Sequence, residues 1–260
     1  MERTLGLVVP AFRPDPERLA SFLAALRAEL DPAVVRIELD DPDPGVRERL
    51  ADLPATLHVA PTRRGKGAAI TAGFEALAPD VDALAFADAD GATPASSVAR
   101  VVAPVLDGSA DLSVGSRRHP AAEVRSHQTV ARRRLGDGFA WLARRLLDVE
   151  LTDYQCGAKA LTTATWEAVR EHLYEPGFAW DVELIAIAGA LGCDVTERPV
   201  VWEDQPGSTV DPVGAVVNMG RGLLAARHRA RLVAEDPLHR LMDAPQESRT
   251  ALVDRALPDD

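Results

Sequence analysis

The stretch ALAFADADG, residues 83–91, predicts both the fold and the site of this chain. Its first five residues are apolar, as in a short strand buried on both faces, and the run ends at two aspartates one residue apart. Because alternate residues of an extended segment point the same way, Asp88 and Asp90 can present their carboxylates to one point. Such hard oxygen ligands suit Mg²⁺ or Mn²⁺. The alternative is a solvated turn, since Asp and Gly both favour turns.

Strands and helices alternate along the first half of the chain, on either side of this stretch. Short apolar runs predict strands at 5–9, 34–39, 57–60 and 112–115, and longer segments predict helices at 16–30, 46–53, 67–77 and 94–106. Strict alternation implies right-handed crossovers and a mainly parallel open sheet flanked by helices, which is the α/β class. Ligands of such sheets bind beyond the carboxyl ends of the strands. We therefore expect the polar residues after four strands to lie side by side, at 10–12, 40–41, 88–90 and 117.

The second half of the chain continues the same single domain. A strand is predicted after the turn at 152–159 and another at 195–201, with helices at 163–172, 181–191 and 212–232. The sequence has no internal repeat and no linker between these segments. We expect one domain over residues 1–235, followed by a polar tail at 236–260.

The charge of the chain argues against one class of partner. The formal net charge is −11, whereas nucleic-acid binding needs a basic face that neutralises phosphates. Of the 29 basic residues, only Lys66 and Lys159 are lysines, a bias typical of acidic proteins from salt-adapted organisms. A compact ammonium differs chemically from a planar guanidinium. Both lysines are therefore candidates for a specific contact.

The cysteines and the apolar segments bear on the compartment. Cys156 and Cys193 match neither a metal-ligand spacing nor a disulfide framework, which predicts a reduced, cytoplasmic setting. No apolar stretch approaches the ~20 residues of a membrane span, and the N-terminal apolar run is too short for a signal peptide. The last part of the helix at 212–232 is basic on one side and apolar on the other. It can lie on an anionic membrane surface or pack on the core.

Arginines are concentrated between residues 117 and 145, where acidic residues are few. A solvated helix face accounts for part of this concentration. Guanidinium groups also match the geometry of phosphate oxygens. The cluster at 132–134 is therefore a candidate phosphate site.

Seven motifs in a fixed order resemble a known family. They are VVPAF, IELDDPD, RRGKGAAITAGFEA, FADADGATP, VGSR, TDYQCGAKAL and FAWDVELIAIAGALGCDVTERPVVW. Together they resemble the family 2 glycosyltransferases of the dolichyl-phosphate glucosyl- and mannosyltransferase branch. The resemblance covers roughly residues 5 to 230 and implies a GT-A (Rossmann-like) fold.

The resemblance implies a donor half at about 1–116. A UDP- or GDP-linked sugar would contact Pro10, Ala11, Phe12, Asp40, Asp41, Lys66, Asp88, Ala89 and Asp90. Asp88 and Asp90 would also bind Mg²⁺ or Mn²⁺, which stabilises the departing diphosphate. The glycines beside Lys66 would let the backbone approach the nucleotide closely.

The resemblance also implies an acceptor half at about 117–235. A polyprenyl or dolichyl phosphate at the cytoplasmic membrane face would contact Arg117, Arg132, Arg133, Lys159 and Ser208, and catalytic roles would fall to Asp90, Asp153 and Asp181. A lipid monophosphate is already ionised at neutral pH, so it can attack the anomeric carbon directly and invert that centre. Asp181 would serve as a general base only for a hydroxyl acceptor.

Three departures from the family pattern leave other functions open. The second strand end has DDPD where DDGS is usual, the first has Phe12-Arg13 where Tyr-Asn-Glu is usual, and Thr209 replaces a usual lysine. One alternative is a glycosyltransferase with a soluble small-molecule acceptor. Another is a degenerate relative that binds a nucleotide sugar without turnover. A sugar-phosphate nucleotidyltransferase is disfavoured, because residues 8–14 lack a glycine-rich loop.

Overall fold

A seven-stranded sheet forms the centre of the computed structural model, which describes residues 3–125, 130–203, 212–237, 239 and 250–255. Side chains are not described at 130–135 and 212–217. The strands are β1 Leu5–Phe12, β2 Val34–Asp40, β3 Thr56–Ala60, β4 Ala83–Ala87, β5 Leu112–Ser116, β6 Glu123–Val124, β7 Ala158–Thr162, β8 Val195–Pro199 and β9 Val201–Trp202. The order in the main sheet is β3-β2-β1-β4-β7-β5-β8, and β6 pairs with β9 separately.

The helices lie on both faces of this sheet. They are α1 Pro16–Leu30, α2 Val46–Leu50, α3 Lys66–Leu77, α4 Ala95–Leu106, α5 Val130–Leu146, α6 Thr163–Val169, α7 Trp180–Ala190 and α8 Pro212–Val233. The start of α1 illustrates the local chemistry: Asp15 accepts hydrogen bonds from the backbone N–H groups of Glu17 and Arg18, and Pro16 occupies the first helical position. The predicted α/β class and the flanked, mainly parallel sheet are confirmed.

The central strands divide their side chains between two cores. On β4, Leu84 and Phe86 pack into a core with helices α3, α6, α7 and α8, whereas Ala83, Ala85 and Ala87 pack into a second core with α1 and α4. Because successive side chains of a strand point to opposite faces, a strand covered on both sides needs apolar residues at every position. This explains the unbroken apolar run that precedes Asp88.

One strand of the sheet runs against the others. β7 pairs antiparallel with both β4 and β5, and it separates these two strands. The β5 end lies at the same edge as the ends of β1, β2 and β4, as predicted, but it is not adjacent to the β4 end because β7 lies between them. The physical reason is that apolar runs identify strands but not their order or direction in the sheet, and β7 joins the sheet only after the chain has passed through α5. Its first residue, Ala158, pairs with Ala87, so β7 begins at the edge where β4 ends.

Over the described part of the chain, no helix combines the length and the apolar character that crossing a bilayer requires.

Candidate active site

Asp88 and Asp90 lie directly after β4, at the carboxyl edge of the sheet. The backbone N–H of Asp88 donates to the carbonyl of Gly157 over 2.9 Å, and Asp90 Oδ1 accepts from the backbone N–H of Ala92 over 2.9 Å. Gly157 has no room for a side chain, because an added Cβ would lie 2.1 Å from Asp88 Oδ2. The position of the Asp88 carboxylate therefore depends on a glycine at the start of β7.

A glycine-flanked turn places Lys66 at the first position of α3. An added Cβ on Gly65 would lie 2.5 Å from the carbonyl oxygen of Pro176, and one on Gly67 would lie 2.5 Å from that of Glu175. Gly65 also has φ +103°, which favours glycine. The loop that precedes α7 thus packs directly on this turn, and the glycines are required for this close approach.

Four charged side chains form a continuous network between β4, β7, α3 and α7. Lys66 Nζ lies 2.9 Å from Asp88 Oδ1 and 3.1 Å from Asp181 Oδ2. Lys159 Nζ lies 2.6 Å from Asp181 Oδ1 and donates to the carbonyl of Cys156 over 2.9 Å. Asp181 is therefore held between the two lysines of the chain, with one ammonium group on each oxygen.

Burial and neighbouring charges set the protonation of this network. Burial alone would raise the pKa of Asp181, but Lys159 and Lys66 outweigh it and lower that pKa. Burial alone would lower the pKa of Lys66, but Asp181 and Asp88 raise it. Burial raises the pKa of Asp88, with Asp90 adding to the effect and Lys66 opposing it. At neutral pH, Asp181 is therefore ionised, and each of its oxygens is paired with a lysine side chain.

A second buried cluster supports the turn before Lys66. Asp40 accepts from the backbone N–H groups of Arg64 and Gly65 over 2.7 and 3.2 Å, and from Arg64 Nε over 2.8 Å. Arg64 Nη2 also donates to Glu38 Oε2 over 2.7 Å. Arg64 Nη1 is buried without a hydrogen-bond partner among the described residues. Asp40 therefore fixes the backbone at residues 64 and 65, and it holds the Arg64 guanidinium beside the end of β2.

Glu38 and Arg64 are site residues that the sequence reasoning missed. Glu38 is fully buried, and its carboxylate contacts Arg36 and His58 as well as Arg64. The available signal was a glutamate inside β2 with an arginine two residues before it, because a buried charge needs a partner. Arg36 lies on the same strand, but His58 and Arg64 come from other segments, so these two partners could not be inferred from β2.

The end of β1 presents an aromatic ring and several charges. Pro10, Ala11 and Phe12 are the last three residues of β1, and the guanidinium carbons of Arg63 and Arg13 lie 4.2 and 5.4 Å from the centroid of the Phe12 ring. Arg13 Nη2 is 2.9 Å from Asp41 Oδ2, in an exposed ion pair. Cations over an aromatic face are attracted by its quadrupole. The β1 and β2 ends thus lie together, as the predicted parallel order requires.

The β5 end carries a separate ion pair. Arg117 Nε and Nη2 lie 2.7 and 3.0 Å from the two oxygens of Asp153, and the Arg117 backbone N–H donates to Asp153 Oδ2 over 3.1 Å. Burial would raise the pKa of Asp153, but Arg117 holds it well below its usual range. Glu197 Oε1 accepts from the backbone N–H groups of Thr152 and Asp153, both over 2.8 Å. Asp153 therefore holds the Arg117 side chain in one orientation.

The side chains of three residues predicted to contact the acceptor phosphate lie outside the part of the chain that the structure describes. Ser208 lies outside the described residues. Arg132 and Arg133 lie in α5, where the structure describes their backbone but not their side chains. The residues brought together are those of the Lys66 network, the β1 and β2 ends, and the Arg117–Asp153 pair.

Asp88 and Asp90 provide the right type of ligand for a hard divalent cation, but they provide only some of the ligands that it needs. Both supply carboxylate oxygens, the ligand type that Mg²⁺ and Mn²⁺ prefer. Among the described residues, no three Asp, Glu, His or Cys side chains gather into a metal-binding cluster. A cation at this position would therefore take most of its ligands from water and from a bound substrate.

The family model for glycosyl transferase family 2 matches residues 7–161, which is more than half of the chain. The chain belongs to glycosyl transferase family 2. The matched region includes both lysines, Asp88, Asp90 and the Arg117–Asp153 pair. The family predicted from the seven motifs is confirmed.

Two curated relatives of this family 2 glycosyltransferase are similar in sequence. Glycosyltransferase AglD of Haloferax volcanii is 33% identical over 213 residues, which are 80% of this chain and 33% of that protein. Dolichyl-phosphate beta-glucosyltransferase of Mus musculus is 32% identical over 171 residues, 64% of this chain and 52% of that protein. The chain thus spans a third to about half of the length of these relatives. The predicted resemblance to the dolichyl-phosphate branch is confirmed.

A solved structure shares the fold. Glucosyl-3-phosphoglycerate synthase from Mycobacterium tuberculosis, in complex with Mn²⁺, UDP-glucose and phosphoglyceric acid, aligns with a TM-score of 0.67 and 18% sequence identity. The alignment covers 86% of this chain and 80% of that chain. At this identity the likeness concerns the fold alone, and it confirms the predicted GT-A architecture.

Proposed function

We propose that this protein transfers a hexose from a nucleotide sugar to a polyprenyl phosphate, with inversion at the anomeric carbon. One observation carries the choice of acceptor: each oxygen of Asp181 is already bound by a lysine, at 2.6 and 3.1 Å. The two lysines lower the pKa of Asp181 by more than burial raises it. A carboxylate with a lowered pKa and both oxygens paired is a poor proton acceptor. A hydroxyl acceptor needs a base, whereas a phosphate monoester arrives ionised.

The donor half would bind the nucleotide sugar along the β1, β2 and β4 ends. Phe12 and Arg63 offer an aromatic and cationic surface for the base, and Arg64 offers a buried Nη1 donor. Asp40 keeps Arg64 and Gly65 in place through three hydrogen bonds. Since the relative from Mus musculus is a dolichyl-phosphate beta-glucosyltransferase, UDP-glucose is the first donor to test, with GDP-mannose second.

Asp88 and Asp90 would hold a divalent cation, Mg²⁺ or Mn²⁺. When bound, such a cation stabilises negative charge on the departing diphosphate. The residues of this chain contribute separately. Lys66 brings a positive charge to the same edge of the sheet, and Asp181 and Lys159 fix the place of that charge.

The acceptor phosphate would enter on the side of Arg117. Asp153 occupies Nε and Nη2 of this guanidinium, which leaves other N–H donors available and prevents the side chain from rotating away. The phosphate oxygen attacks the anomeric carbon as the bond from that carbon to the diphosphate oxygen breaks. No proton has to be removed from the acceptor in this step.

The lipid tail of the acceptor requires access to a membrane surface. On α5, Trp141 and Leu142 are exposed beside the exposed Arg144 and Arg145, and Leu224 is exposed on α8. Aromatic side chains and arginines at a surface are typical of contact with anionic lipid headgroups. We propose that this face meets the membrane while the carboxyl edge of the sheet receives the phosphate.

The test is transfer of a radiolabelled sugar from UDP-glucose or GDP-mannose to a short polyprenyl phosphate, with Mg²⁺ or Mn²⁺ present. The expected result is lipid-extractable label that Asp90→Ala abolishes and Asp107→Ala, a surface control, leaves unchanged. Transfer to phosphoglyceric acid or another soluble acceptor, without label on the lipid, would overturn the proposal. Donor binding without any transfer would instead indicate a relative that has lost turnover.

A further inference from the structure

The ammonium group of Lys66 occupies the carboxylate to which the divalent cation is assigned. Its Nζ lies 2.9 Å from Asp88 Oδ1 and 3.3 Å from Asp88 Oδ2, so it contacts both oxygens. Two positive ions of this kind cannot share one carboxylate without strong repulsion, because Coulomb energy at contact distance is large in a partly buried site. A cation that binds Asp88 therefore has to displace Lys66.

Charge balance at the site gives the same result. Asp88, Asp90 and Asp181 carry three negative charges, and Lys66 and Lys159 carry two positive charges. The five groups together have one net negative charge, which is too little to attract a divalent cation strongly by itself. A diphosphate brings the missing negative charge, and its oxygens also accept from an ammonium group.

We propose that Lys66 is an internal counter-ion of Asp88 which moves to the substrate diphosphate when the divalent cation binds, so that cation and diphosphate bind cooperatively. The proposal rests on the proposed function only in assigning the cation to Asp88 and Asp90. By linkage, the factor by which diphosphate strengthens cation binding equals the factor by which the cation strengthens diphosphate binding.

The residue type at position 66 suits this exchange. Lysine carries a point charge on a flexible stem, whereas the rigid fork of arginine favours one fixed pairing. The chain uses arginine for 27 of its 29 basic residues and keeps lysine here. Asp181, at 3.1 Å, remains a fixed partner that keeps the ammonium at the edge of the sheet during the exchange. The Phe86 ring, with its centroid 4.9 Å from Nζ, limits retreat into the core.

The decisive measurement is Mn²⁺ binding by the full chain, followed by the electron paramagnetic resonance of free Mn²⁺, first alone and then with UDP or GDP. In the wild type, we expect weak binding of Mn²⁺ alone and a gain of about 5- to 150-fold with diphosphate, the range typical of coupled sites. Lys66→Met keeps the length of the side chain and removes its charge. We expect this variant to bind Mn²⁺ alone about tenfold more tightly than the wild type, and to gain less from diphosphate.

Two matched variants separate this effect from general electrostatics and from misfolding. Arg49→Met removes one positive charge from α2, where the exposed guanidinium pairs with Glu17, and should change Mn²⁺ affinity less than about twofold. Lys66→Arg keeps the charge and should show no gain in the binding of Mn²⁺ alone. Circular dichroism of each variant verifies the fold before titration.

Three results would overturn the proposal. One is Mn²⁺ affinity of Lys66→Met, without diphosphate, equal to or below that of the wild type. Another is an equal gain in Arg49→Met, which would indicate an effect of net charge alone. A wild type that binds no Mn²⁺ even with diphosphate would remove the cation from the site altogether. None of these measurements uses an acceptor, so sugar transfer to lipid can fail or succeed independently of them.

Discussion

Lys159 Nζ lies 2.6 Å from Asp181 Oδ1, and both side chains are buried. The other oxygen of Asp181 accepts from Lys66, so both lysines of the chain end on one aspartate. Buried charges persist only when they are paired and hydrogen-bonded. The two lysines of this arginine-rich sequence therefore share one partner, Asp181, and do not make two unrelated contacts.

Removal of the Asp181 charge is expected to destabilise the protein strongly. Asp181→Asn would leave two buried ammonium groups without their shared counter-ion, and breaking such a pair typically costs about 3–5 kcal/mol of unfolding free energy. Asp88→Asn removes one of the two carboxylates that pair with Lys66 at a more exposed position, so its cost should be about 1 kcal/mol or less. Urea denaturation of both variants measures the difference. Equal costs would contradict the central role of Asp181.

Gly157→Ala is expected to displace Asp88 without touching any charge. The new Cβ would lie 2.1 Å from Asp88 Oδ2, so the carboxylate has to move away from the β7 backbone. We expect sugar transfer and Mn²⁺ affinity to fall by on the order of tenfold or more, because misplacing a reacting group by about 1 Å can cost 10²-fold.

The matched control for this substitution lies on α5. An added Cβ on Gly138 meets no atom within 4 Å among the residues that the structure describes, so Gly138→Ala should leave transfer unchanged. It should also stabilise the helix by up to about 1 kcal/mol. Full transfer activity in Gly157→Ala, with Mn²⁺ affinity equal to that of the wild type, would show that the position of Asp88 is not critical.

The sequence predicted the strands well because their apolar runs are short and end at residues that favour turns. The run at 83–87 matches β4, and the helix expected at 212–232 matches α8 at Pro212–Val233. The direction of β7 could not be predicted, since it depends on which tertiary neighbours the strand meets. The convergence on Asp181 was equally hidden, because Lys66 and Lys159 are 115 and 22 residues away from it.

The exposed face of α5 is expected to contribute to membrane binding. Trp141 is 58% exposed, and Arg144 and Arg145 follow it within one helical turn. Trp141→Ala should reduce sedimentation of the full chain with vesicles of anionic phospholipid by about tenfold, since burying an indole ring in the interface gains about 1.5–3 kcal/mol. Leu191→Ala, at an exposed site after α7, is the control and should have no effect. Equal sedimentation of the wild type and Trp141→Ala would rule out this face as the contact.

Alkaline pH is expected to weaken the fold through Cys156. Burial raises the pKa of this thiol from its ordinary value of 9.0 to about 11, and the side chain is fully buried beside Gly115 of β5. Between these two pH values the unfolded chain releases a proton that the folded chain retains, so unfolding free energy falls as pH rises. The loss reaches at most about 3 kcal/mol above pH 11, because each pKa unit corresponds to about 1.4 kcal/mol.

Cys156→Ala tests this pH dependence without relying on absolute stability. The variant should be less stable than the wild type at pH 8, because it loses a buried side chain, but its stability should fall less between pH 9 and about 11. Cys193→Ala, which removes a partly exposed thiol, should follow the slope of the wild type more closely. Urea midpoints at a series of pH values give the three slopes. Identical slopes for the wild type and Cys156→Ala would mean that the Cys156 thiol does not titrate differently in the folded and unfolded chains.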